Sequence, residues 1–219
     1  IVISTGEELV DIDAHPGPQQ LRDSNRAMIA SAADQLGAAV LRTHHVGDDL
    51  QETINILATA SSDCDLLITI GGVSAGERDF IPAAWEHLGA TPRIQRVPVQ
   101  PGRPTRLWEY QSCSALALPG NPVSALLCMH LFARPWIRSS IGLDPLGDWQ
   151  TTKLAQPATP NPRRTLYRAC NLKPDAHIPP WHGSGDLPHL AGTDGLVELP
   201  KQEADLDAGT TCSFLRWEA

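Results

Sequence analysis

The chain is defined first by what is missing. No stretch approaches about 18 consecutive apolar residues, so no membrane-spanning helix is expected. There is no excess of positive charge: the formal net charge is −8, which argues against a dedicated nucleic-acid binder. Five cysteines are present, but none is spaced C-x-x-C and the number is odd. Scattered reduced thiols in a cytoplasmic protein fit better than a disulfide framework or a zinc site. Eight histidines include His44-His45 but no H-x-x-x-H pattern; adjacent residues on a strand point to opposite faces, so one core and one surface residue fit better than a metal pair. The P-loop lysine and the G-x-G-x-x-G fingerprint are both missing, which argues against P-loop nucleotide hydrolysis.

What is present alternates. Ile1 to Ser4 and Ala38 to Val46 read as strands, and "CDLLITI" reads as a third, apolar on both faces like a central parallel strand. Helices are expected from Asp23 to Leu36, over residues 50 to 60 and 80 to 88, and from Val123 to Ser140, with residues 10 to 22 a loop. Shorter extended pieces fall at 93 to 99, 105 to 110 and 114 to 118. Strand-helix alternation over residues 1–145 predicts a three-layer α/β/α domain. After Gly142 the sequence turns rich in Pro and Thr, and residues 146–219 read as a small all-β domain. The start on a strand without a methionine suggests the back part of a longer chain.

The unusual residues fall repeatedly where strands end, and open α/β sheets bind ligands there. "STGEEL" follows the first strand, "VGDD" the second and "GGVSAGERD" the third; "LPGNPVSA" follows the strand at 114 to 118. Four such loops favour a ligand site over turn chemistry. Gly71, Gly72 and Gly76 allow close backbone approach, and Ser74 adds a hydroxyl. Glu8, Asp48 and Asp79 come from three strand ends and suit a hard divalent cation such as Mg²⁺, which takes one or two carboxylates plus phosphates. Asp79 could instead cap the next helix, and Asp49 the helix at residue 50. Pro119 and Pro122 stiffen Gly120-Asn121 at a helix start that carries Ser124, and "QPGRP" places Arg103 on a second stiff turn. Both clusters read as anion clamps.

Thr5-Gly6-Glu7-Glu8-Leu9, Asp23-Ser24-Asn25, Gly47-Asp48, "GGVSAGERD", "PGRP" and "LPGNPVSA", in this order, resemble the molybdopterin molybdenumtransferase family, bacterial MoeA and the E domain of gephyrin. "YRA", "GSGDL" and "GLVELP" resemble that family's last domain. The resemblance implies binding of adenylylated molybdopterin and molybdate, and Mg²⁺-dependent release of AMP as molybdenum is inserted. It implies Glu8, Asp48 and Asp79 as functional acids and metal ligands. Thr5, Gly6, Asp23, Ser24, Asn25, Gly71, Gly72, Ser74, Gly76, Pro119, Gly120, Asn121, Pro122 and Ser124 are implied as the pterin-substrate site. Gln100, Gly102, Arg103, Arg168 and Ser184 are implied near the molybdate. It further implies a homodimer for the full-length protein, with additional N-terminal domains, and poor activity for this stretch alone. The sequence departs at Gln100, where the family commonly has lysine. An adenylyltransferase-like enzyme and a non-catalytic pterin-binding scaffold therefore stand as alternatives.

Overall fold

A computed structural model describes residues 1–73, 79–181, 183 and 185–217. In chain order its elements are β1 (Val2–Thr5), β2 (Leu9–Val10), β3 (Leu21–Arg22), α1 (Ser24–Gln35), β4 (Thr43–Val46), α2 (Leu50–Ser61), β5 (Leu66–Ile70), α3 (Phe80–His87), β6 (Thr91–Ile94), β7 (Val99–Gln100), β8 (Arg106–Tyr110), β9 (Cys113–Leu118), α4 (Pro122–Cys128), α5 (Arg134–Ser140), β10 (Trp149–Lys153), β11 (Thr165–Leu172), β12 (Ala176–His177), β13 (Gly195–Leu199) and β14 (Thr211–Arg216). A π-helical turn, Met129–Ala133, joins α4 to α5, and a 3₁₀ turn spans Leu187–Leu190.

Six strands form the first sheet in the order β4-β1-β5-β9-β8-β6. Its first four strands are parallel, and β8 and β6 extend it antiparallel. Successive residues on a strand face opposite ways, and the core divides accordingly. Ile3, Leu67, Ala115 and Ala117 join Ile54, Leu57, Ile81 and Trp85 of α2 and α3 on one face. Val2, Ile68, Ile70, Leu116 and Leu118 join Ile29, Ala32, Ala33, Ala125 and Met129 on the other. This is the three-layer α/β/α arrangement expected. From β1 the chain crosses by α1 to one side and later returns by α2 to the other, so the strand order reverses between β1 and β5. That crevice is where such sheets bind ligands.

Helix starts follow their caps. Asp49 Oδ1 accepts from the Glu52 amide at 2.7 Å, starting α2 as expected. The second strand begins at Thr43 rather than Ala38, because residues 37 to 42 pass along the amino edge of the sheet. The segment read as a loop, 10 to 22, contributes one of two short paired strands, β2 and β3. The expected extended piece at 93 to 99 divides into β6 and β7.

The second sheet, β10-β14-β13-β11-β12, packs its own core around Leu154, Leu166, Val197 and Phe214. β7 joins it, pairing Val99 with Thr165 and Gln100 with Leu166. A further apolar cluster brings Val123 and Leu127 of α4 against Ala169, Leu196 and Leu215 of this sheet. Arg134, 2% exposed, closes the junction: its Nε donates to Asp148 Oδ2 at 2.8 Å and its Nη1 to the Arg216 carbonyl at 2.6 Å. His130 stacks on Trp217 with ring centres 5.0 Å apart. Burial, and then the Arg134 charge, push the His130 imidazole down to about 3.

Candidate ligand cleft

The carboxyl ends of β1, β4, β5 and β9 open onto one cleft of about 820 Å³. Thr5, Gly6 and Glu8 reach it from β1, Asp48 from β4, Gly71, Gly72 and Asp79 from β5, and Pro119, Gly120, Asn121 and Pro122 from β9; Asp23, Ser24 and Asn25 line it from the start of α1. All four loops singled out in the sequence thus meet on one rim. Expected site residues Ser74, Gly76 and Ser184 lie outside the described residues.

The loops are laced to one another. The Gly71 amide donates to the Leu118 carbonyl at 3.0 Å, which closes the β5 loop onto β9. Gly71 has φ +90, and a Cβ there would sit 2.9 Å from Thr5 Oγ1, so the close approach of β5 to β1 requires glycine. Asn25 Nδ2 donates to the Gly120 carbonyl at 2.6 Å and ties α1 to the Pro119–Pro122 turn. Asn25 Oδ1 is buried and has no partner among the described residues.

The acids divide by role. Asp23 is buried and accepts from the Ser4 hydroxyl and from Arg26, both Nε at 3.0 Å and the backbone amide at 3.2 Å. It organises the β1–α1 corner. Asp79 stands at the N-cap of α3 without a side-chain bond to that helix's amides. Glu8 is exposed and Asp48 and Asp79 are half-buried on the same cleft. Among the described residues no three His, Cys, Asp or Glu cluster tightly enough to cage a metal alone. That suits a cation needing one or two carboxylates and completing its shell from a ligand. Arg22 also lines the cleft, where only a loop was expected, and Pro104 and Gly185 wall it from the QPGRP turn and the second domain. Nothing local marks Arg22; the Pro104 and Gly185 positions carried a signal in the clusters that contain them.

Of the expected anion residues, the Pro119–Pro122 turn lines this cleft, whereas Ser124, Gln100, Gly102, Arg103 and Arg168 are not among its lining residues. Ser124 is buried in the first turn of α4. Gly102, with φ +114, packs so that a Cβ would overlap Cys128 Sγ, and Arg103 is exposed on the turn beside it. Gln100 Oε1 accepts from Asn161 Nδ2 of the second domain. Arg168 lies over the Trp181 ring at 4.5 Å and lines a separate cavity of about 400 Å³ with Gln156, His177 and Pro179. Burial lowers its pKa.

A switch-point cleft on a three-layer α/β/α sheet, with a β domain docked beside it, defines the class: an open-sheet α/β protein with a candidate ligand cleft. Residues 1–139 match the family model described as "Probable molybdopterin binding domain", and residues 151–217 match "MoeA C-terminal region (domain IV)". The chain belongs to the MoeA-type molybdopterin molybdenumtransferase family. It is 34% identical over 219 residues to molybdopterin molybdenumtransferase 2 of Mycobacterium tuberculosis, covering 96% of this chain and 54% of that protein. It is 33% identical to the molybdopterin molybdenumtransferase of Synechocystis, covering 99% of this chain and 55% of that one. The crystal structure of the molybdopterin biosynthesis MoeA protein of Pyrococcus horikoshii has the same fold: TM-score 0.81 at 24% identity, covering all of this chain and 54% of that one. The chain spans about half the length of these relatives. No helix among the described residues is long and apolar enough to cross a membrane.

Proposed function

We propose that this chain is the substrate-holding part of a molybdenum-inserting transferase, in which the full-length protein takes molybdopterin as its adenylyl derivative, transfers molybdenum from molybdate, and releases AMP. The observation that carries this reading is the meeting of four strand-end loops on one cleft lined by Glu8, Asp48 and Asp79. The printed names of the relatives support it.

The charge balance of the cleft has a chemical consequence. Four carboxylates line the cleft; Asp23 is paired with Arg26, and Glu8, Asp48 and Asp79, set against Arg22, whose Nε donates to the Ala14 carbonyl, would repel a phosphorylated ligand unless a further cation intervened. Glu8, Asp48 and Asp79 would hold Mg²⁺, which when bound neutralises phosphate charge. The stiff Pro119–Pro122 turn and Asn25 then fix where the ligand lies, and the unpartnered Asn25 Oδ1 is placed to accept an N–H from a purine or pterin amine. Gly102, Arg103, Arg168 and Ser184 serve the oxyanion side, with Gln100 beside them, and the homodimer belongs to the same proposal.

The test is AMP release by the full-length protein given adenylylated molybdopterin, molybdate and Mg²⁺. Stoichiometric AMP dependent on molybdate is expected; its absence overturns the reading. One observation favours a second reading, a pterin-binding scaffold: Gln100 is neutral and tied to Asn161. Tight ligand binding without AMP release would select it.

A further inference from the structure

The opposite ends of the same strands carry chemistry that the cleft does not use. Cys64 precedes β5 by two residues and Cys113 opens β9. β5 and β9 are parallel neighbours with Leu66 opposite Ser114, so the two cysteines fall side by side, their sulfurs 3.9 Å apart. Cys113 is 2% exposed, whereas Cys64 is half-buried and lines a cavity of about 510 Å³ with Ala38, Leu41, Asp63 and Trp136. A small solute therefore meets Cys64 first, with Cys113 directly behind it.

We propose that Cys64 and Cys113 form a redox-active dithiol, oxidised by hydrogen peroxide at Cys64 and resolved by Cys113 to an intramolecular disulfide. In the first step the Cys64 thiolate attacks one peroxide oxygen. The O–O bond breaks, sulfur gives up two electrons and becomes a sulfenic acid, and the second oxygen leaves as hydroxide, which takes the proton Cys64 has shed. In the second step the Cys113 sulfur displaces the sulfenic hydroxyl. The S–S bond forms as the S–O bond breaks, and water leaves with the Cys113 proton. Two thiols and one peroxide give one disulfide and two waters. The sulfurs must close from 3.9 Å to about 2 Å, a movement the cavity beside Cys64 accommodates.

The thiols are also tuned for this order of events. The hydrogen bond shared with Cys113 lowers the Cys64 thiol from its usual value, which favours Cys64 as the attacking sulfur. The same bond, with burial, drives Cys113 up. Cys128 is set differently: burial pushes it to about 12, and its sulfur accepts from the Thr105 hydroxyl at 3.3 Å. Burial, and then the Cys212 thiol in the same core, push Cys170 to about 12.

The experiment treats the reduced 219-residue chain with hydrogen peroxide near neutral pH and counts thiols after denaturation. The five should fall to three and return on reduction. Non-reducing tryptic mapping should link the peptide of residues 43–78 to that of residues 107–138. The latter also contains Cys128, so fragmentation must place the link on Cys113, and the link must persist in Cys128→Ser. In Cys113→Ala, dimedone should trap a sulfenic acid on Cys64; in Cys64→Ser all remaining thiols should survive. Should the buried Cys113→Ala variant fail to fold, Cys64→Ser and the mapping still decide. Five surviving thiols in the unaltered chain, a link to Cys128, a link between molecules, or Cys64 overoxidised beside an intact Cys113 thiol would each overturn the proposal.

Discussion

The two ends of the parallel sheet face opposite demands. At the carboxyl ends the strands stop in Gly, Pro, Asn and acidic residues, and the loops fasten onto one another through backbone bonds such as Gly71 to Leu118. At the amino ends the same strands begin among Ile1, Leu66, Trp136 and Cys64 around a mixed cavity that Asp63, Asp65 and Ser112 also line. Between them lie residues such as Leu67, Ile68, Ala115 and Leu118 that are almost wholly buried. The difference teaches that stability and ligand chemistry are separated along each strand: burial secures the middle, which frees the carboxyl rim to hold residues that would be poor strand formers.

That separation can be broken by substitution. Leu67 is fully buried in the body of β5, and Leu67→Ala should cost about 3 kcal/mol in denaturant unfolding. Ligand affinity of the molecules that remain folded should not change. At the rim the balance should invert: Asp48→Asn should lower AMP release by the full-length protein about 100-fold or more, with unfolding free energy altered by less than about 0.5 kcal/mol. A loss of stability as large as that of Leu67→Ala would blur the distinction.

His130 offers a control away from both ends. Its folded-state pKa lies below the usual value, so the unfolded chain binds more protons between about 6.5 and about 3. Its stabilising contribution is fully present above about 6.5 and is lost as pH falls toward about 3. His130→Phe, which keeps a ring against Trp217, should flatten the acid side of a stability–pH curve. Smaller again, Gly71→Ala should cost about 1–2 kcal/mol through its positive φ and the clash with Thr5, and should also weaken ligand binding measured by calorimetry. The smallest effect belongs to Asp49→Ala, about 1 kcal/mol from a lost cap, visible in the unfolding midpoint and absent from the ligand titration.

The strands and helices with clear periodicity were legible: Ile1 to Ser4, the apolar run at Leu66–Ile70, and the capped helices at Ser24 and Leu50. So was the gathering of the strand-end loops, because a parallel sheet sends all its carboxyl ends to one edge. What was not legible depends on partners far away in the chain. The pairing of β7 with β11, the Arg134 junction and the meeting of Cys64 with Cys113 need a register that local pattern does not contain. Ser124 has the composition of a site residue, yet the turn of α4 carries it into the interior. Asp23 shows the reverse limit: its place at a helix cap was readable, but its bond to Ser4 was not.

The strand at Val99–Gln100 is contributed by the first domain to the sheet of the second. The two halves therefore share a hydrogen-bonded seam as well as a covalent tether, and a protease nick anywhere in residues 141–148 should leave both fragments bound to each other.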